Sequence, residues 1–126
     1  MTRRIATNAA LKAELDGKRL AADVSNAVEG VARAWPGQLD TLCCGALGSI
    51  EFLCEAAAEG IGKREIGELA LRRLAAVLAA AAASGDYRWN SGKRQFNLGL
   101  FRGLAGVGYT LLRRIDSSLP NVLVWE

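Results

Sequence analysis

A nine-residue stretch, GALGSIEFL from Gly45 to Leu53, is matched 58 residues later by GLAGVGYTL from Gly103 to Leu111. Each copy opens with Gly-x-x-Gly and continues as an apolar, helix-forming run. A spacing of this size fits a unit of one buried helix, one outer helix and their loops, as in helical repeat or toroidal architectures. Such units bury themselves against neighbours on both sides, so two alone leave an open face. The glycines suit close helix packing or tight turns. Neither stretch follows a strand pattern and no Gly-Lys-Ser/Thr is present, which excludes the usual nucleotide-binding loop.

The rest of the chain predicts an all-α protein. Alanine is abundant, and proline occurs only at Pro36 and Pro120 in 126 residues. β-Branched and aromatic residues are thinly spread, which favours helix. With 51% hydrophobic residues there is material for the core of one domain, or of a piece of a larger one.

ATNAALKAELDG reads as a helix ending near Asp16-Gly17, and KRLAADVSNAVEGVARAW puts Leu20, Val24, Ala27, Val28 and Val31 on one helical face. A Pro-Gly turn then leads to Asp40 or Thr41 as capping residues. The next helix is expected from about Gly45, with few charges apart from Glu51 and Glu55. After EGIGK, a helix from Arg64 keeps its charges in its first half and is nearly all alanine beyond Leu74, a surface suited to close packing. GDYRWNSGKRQFN is the longest loop, and loops of that length are often functional. LFRGLAGVGYTLLRRI is read as the last helix. LPNVLVWE follows as an extended tail too apolar to stay in water.

The net charge is +3. Basic residues fall in short pairs such as Arg72-Arg73 and Arg113-Arg114, read as solvated helix positions, and no basic stripe with interleaved aromatics points to nucleic acid. No apolar run follows Met1, so a cytoplasmic location is expected. The longest apolar run, Leu74 to Ala83, falls well short of the roughly 20 residues a membrane span needs.

Three cysteines without a signal peptide argue for reduced thiols. Cys43 and Cys44 cannot bond each other without backbone strain, which leaves a buried core, an outside thiol or a metal. At a loop-to-helix junction, the positive helix end favours thiolate and two zinc ligands become feasible. Cys54 lies about 15 Å further along a helix and is read as a small buried hydrophobe. The chain has no histidine. A third ligand would therefore be a carboxylate such as Asp40 or come from outside this chain. The residues alone leave core cysteines, a zinc site and a redox-active pair all open.

DTLCCGALGSIEFL (Asp40–Leu53) resembles the metal-binding segment of the lanthionine synthetase cyclase domains, and GLFRGLAGVGYTLLRRIDSSLPNVLVWE (Gly99–Glu126) looks like the C-terminal end of the class II, bifunctional lanthipeptide synthetases. The similarity runs from about Leu20 onward. It implies that residues 1–126 are the C-terminal portion of a lanthionine synthetase C-like domain, a partial α/α toroid of inner and outer helix pairs. In that family a zinc-activated cysteine thiol of a precursor peptide adds to dehydroalanine or dehydrobutyrine, closing (methyl)lanthionine thioether rings.

Most members carry Cys-His-Gly where this chain has Cys43-Cys44-Gly45, a departure similar to the subgroup with three cysteine ligands. An all-thiolate set carries one more negative charge than a set with one imidazole, and should leave the substrate sulfur more nucleophilic. The resemblance makes Cys43 and Cys44 ligands of Zn²⁺, with the third protein ligand outside this chain. The family's remaining cysteine and its proton-transferring histidine and aspartate lie upstream of the pair, so no catalytic residue is assigned here. The expectation is a truncated cyclase piece, inactive alone. It would meet the precursor peptide through the complete enzyme and pair with the N-terminal remainder of the synthetase or with itself. The alternative is a non-catalytic helical protein-interaction module.

Overall fold

The computed structural model describes residues 17–35, 37–62, 65–89 and 97–123. These form four helices and no strand: α1 (Gly17–Arg33), α2 (Ala46–Ala58), α3 (Glu65–Ser84) and α4 (Leu104–Ile115). The architecture is all-α, part of an α/α toroid. The readings for residues 6–16, for Arg64, for the middle of the long loop and for the final three residues lie outside the described segments.

Helix α2 is the centre, and α1, α3 and α4 all pack on it. Its Leu47, Ile50 and Leu53 have no exposed surface, each burial worth about 1.5–3 kcal/mol. That is why a helix with so few charges is stable here. Gly60 and Gly62 adopt φ of +69° and +89°, a left-handed backbone that turns the chain back along α2. The turn brings α3 close, and a Cβ on Gly67 would stand 3.4 Å from the Ala57 Cβ. The small residues of α3 permit the approach expected from its alanine content.

The repeat is structural. The N–H of Ala46 donates to the Leu39 carbonyl at 2.8 Å, and Leu104, 58 residues on, donates to the Asn97 carbonyl at 2.7 Å. Gly45 and Gly103 are the N-caps of α2 and α4, both in extended backbone without a side-chain cap. A Cβ on Gly48 would strike the Leu42 carbonyl, and one on Gly106 the Leu100 carbonyl, again 58 residues apart. The glycines of Gly-x-x-Gly thus let the preceding turn fold tightly over the first turn of each inner helix.

Several expectations need correction. Gly17 is the first described residue of α1 and does not take the left-handed backbone expected of it. Only Val28 is fully buried on α1; among the described residues Leu20, Val24 and Val31 of its apolar face are half-buried and Ala27 is exposed. Residues 100–103 form a turn, and the last helix begins at Leu104 because Gly103 takes the N-cap. The segment after α4 turns at 117–118 and 122–123 instead of extending, and packs Val122 and Leu123 against the core. Trp89 of the polar loop is also part of the core.

The arginine pairs are not both solvated. Arg73 is buried, donates to the carbonyls of Val31 (3.0 Å) and Ala32 (2.5 Å), and lies over the Trp35 ring. It thereby satisfies the carbonyls and complements the negative end at the close of α1. Arg113 is buried as well, for reasons that bear on the site.

Candidate metal-binding turn

Cys43 and Cys44 sit in the turn 42–44, one residue before the N-cap of α2. Both are exposed and free, which removes the core-cysteine reading. Leu42 beside them is the residue that goes inward, with 2% of its surface exposed. The chain thus anchors the turn on Leu42 and leaves two adjacent thiols facing solvent at the positive end of a helix.

The backbone around the thiols is fixed. The N–H of Gly45 donates to the Thr41 carbonyl at 3.1 Å, and the N–H of Cys43 donates to the Phe101 carbonyl at 2.9 Å. Thr41 is buried, with its hydroxyl 3.9 Å from the Cys44 sulfur. Phe101 is the counterpart of Cys43 in the second repeat, so the two turns are tied edge to edge.

Asp40 is neither a helix cap nor a free ligand. Its carboxylate is buried and accepts from the Arg88 guanidinium (2.6 Å, Nη2) and the Arg88 backbone N–H (2.8 Å). The Asp40 N–H in turn donates to the Arg88 carbonyl at 2.9 Å. The hydrogen bond from its guanidinium to the Asp40 carboxylate raises the affinity of Arg88 for its proton. The pair clamps the segment after α3 against the turn that carries the cysteines.

Among the described residues no three His, Cys, Asp or Glu side chains come together to hold a metal. Two adjacent exposed thiols fit two positions of a zinc set and do not complete it. Cys54 is half-buried, and burial pushes its thiol above the ordinary value. It serves packing, as its position eleven residues past Cys43 along the chain required.

Below the turn lies an ionic cluster that sequence reading missed. Arg113 of α4 donates to Glu51 and to Glu55 (3.3 Å) of α2, and Arg114 also reaches Glu51 (3.2 Å). Asn121 donates to Glu55 at 3.1 Å, and Arg113 to the Leu119 carbonyl at 3.1 Å. Glu51 is 2% exposed, and its Oε1 has no partner among the described residues. Burial holds its carboxyl above the usual range in spite of the two arginines. Two glutamates one turn apart, Glu51 and Glu55, in an otherwise uncharged helix were the available signal.

The sequence profile of lanthionine synthetase C-like protein matches residues 5–125. The chain belongs to the lanthionine synthetase C-like family. No curated protein and no solved structure gives a significant match. Membership accounts for the paired inner helices α2 and α4 starting with equivalent glycine turns. It also accords with the absence, among the described residues, of any helix long and apolar enough to cross a membrane.

Proposed function

We propose that this lanthionine synthetase C-like chain supplies Cys43 and Cys44 to the zinc site of a class II lanthipeptide cyclase of the Cys-Cys-Gly subgroup. The observation that carries the reading is the exposure of both thiols on a backbone-locked turn at the start of the most buried helix. Nothing in core packing calls for cysteine at either position.

A bound zinc ion supplies the positive charge that keeps a peptide cysteine as thiolate near neutral pH, ready to add to dehydroalanine or dehydrobutyrine. Cys43 and Cys44 offer two of the sulfur ligands such a site needs, side by side just ahead of α2. The bonds from Cys43 to Phe101 and from Gly45 to Thr41 hold the turn, so little rearrangement accompanies ligand binding. Thioether formation makes a sulfur–carbon bond at the β carbon and delivers a proton to the α carbon. With no histidine in the chain, that proton and the third ligand belong to the upstream part of the synthetase. Alone, the chain has little cyclase activity and holds zinc weakly.

The test is zinc bound per chain, measured for the 126-residue protein alone and mixed with the N-terminal remainder of the synthetase. Zinc retained in the mixture and lost with Cys43→Ser or Cys44→Ser supports the reading. Zinc in neither sample favours the second reading, a helical interaction module. That alternative draws on the apolar residues left in solvent along α4, among them Leu104, Leu112 and Ile115.

A further inference from the structure

The 58-residue equivalence pairs each residue of α4 with one of α2. On α2, Ala46, Leu47, Ile50 and Leu53 are buried. With Ala57 they share the face that meets α3, as the Gly67–Ala57 approach shows. Their counterparts on α4 are Leu104, Ala105, Gly108, Leu111 and Ile115. Of these only Leu111 is even half-buried; Ile115 is 85% exposed, and Leu112 beside it 53%. Among the described residues, α4 has no helix that does for it what α3 does for α2.

Helix α1 carries the complementary deficit. Within α3, Ala70, Leu74, Val77 and Ala81 are buried, at spacing i, i+4, i+7, i+11. The same pattern stands fifty residues earlier in α1 as Leu20, Val24, Ala27 and Val31, where among the described residues Ala27 is exposed and the other three are only half-buried. An apolar groove of about 410 Å³, walled by Val24, Ala27, Phe52 and Leu123, opens beside this face. The register extends to the glycines. Gly67 of α3 meets Ala57, whereas an added Cβ on its counterpart Gly17 of α1 would meet nothing within 4 Å among the described residues, and the counterpart of Ala57 is the bare Ile115.

We propose that α1 of a second copy of this chain seats on α4 as α3 seats on α2, with Gly17 against Ile115. Two observations favour a second copy as the occupant. Both deficits lie on one chain, and they match each other in the register of an interface the chain already builds between α2 and α3. The contact is heterologous, so each copy keeps one α4 edge and one α1 edge, and association continues past the dimer into a ring or an open string. The proposal rests on the repeat and is independent of what Cys43 and Cys44 bind.

Sedimentation velocity over a concentration series tests it. The wild-type chain is expected to pass from monomer to species larger than a dimer. Ile115→Glu and Ala27→Glu each alter an exposed position, so helix content by circular dichroism stays unchanged while each variant alone is monomeric. An equal mixture of the two brings together one intact α4 edge and one intact α1 edge, and forms a dimer that grows no further. The double variant Cys43→Ser/Cys44→Ser associates as wild type, which separates this result from the zinc reading. A wild-type chain that stays monomeric, or dimerises without extending, overturns the proposal. So does a mixture that remains monomeric while the wild type associates.

Discussion

The backbone N–H of Cys43 donates to the carbonyl of Phe101 across 2.9 Å, and the two residues occupy the same position in successive repeats. The bond ties the cysteine turn of α2 to the matching turn of α4, so whatever displaces one turn disturbs the other. Each turn is held down by its second glycine, where a Cβ would strike a backbone carbonyl that cannot move aside.

Gly48→Ala and Gly106→Ala are therefore expected to lower stability by about 1–3 kcal/mol each, read as a reduced urea midpoint. Gly30, inside α1 with nothing within 4 Å of an added Cβ, behaves oppositely. Gly30→Ala should raise stability by about 0.5–1 kcal/mol. Equal effects at all three positions would contradict the close-approach role of the repeat glycines.

The same geometry sorts the thiols. Cys43 and Cys44 are exposed, whereas Cys54 is half-buried with its thiol pushed up by burial. With a thiol-reactive reagent at neutral pH, mass spectrometry should find two fast modifications at Cys43 and Cys44, and a slow one at Cys54. Fast labelling of Cys54, or protection of either turn cysteine in the metal-free chain, would count against the described turn.

The repeat, the helical class and the burial of α2 were legible in the sequence because they rest on local patterns: glycine spacing, alanine content, a run without charge. The pairing of Asp40 with Arg88 was not, since it joins residues 48 apart whose intervening helix must first fold back. The order of Arg113 and Arg114 was equally silent, because two adjacent arginines on a helix point in different directions and only the neighbouring helix decides which is buried. The site followed the same division. Adjacent cysteines before a helix were visible as possible ligands, but their exposure depended on Leu42 turning inward instead.

Arg113 links α2, α4 and the segment that follows. It donates to Glu51, Glu55 and the Leu119 carbonyl, and removing it leaves Glu51 with Arg114 alone. Breaking a buried pair from one side costs about 3 kcal/mol or more. Arg113→Met is expected to destabilise by about that amount, measured by chemical denaturation. Arg72→Met, at the exposed member of the other arginine pair, should change stability by no more than about 0.5 kcal/mol.

Glu51 makes a signed prediction about pH. Burial is the largest influence on its carboxyl and raises it above the ordinary 4.5, while Arg114 and Arg113 pull the other way. The folded chain therefore holds this proton more tightly than the unfolded chain does. Its contribution to stability is complete below about pH 4.5, the unfolded value, and is lost as pH rises through the folded value. Glu51→Gln keeps the shape and cannot ionise, so the difference between wild type and variant isolates this one group from the other carboxylates titrating nearby. Urea midpoints taken upward from pH 4.5 should show wild type losing ground steadily to Glu51→Gln. If wild type instead gains on the variant across that range, the two arginines outweigh burial, and the ion pair stabilises α2 against α4 rather than being carried by the packing around it.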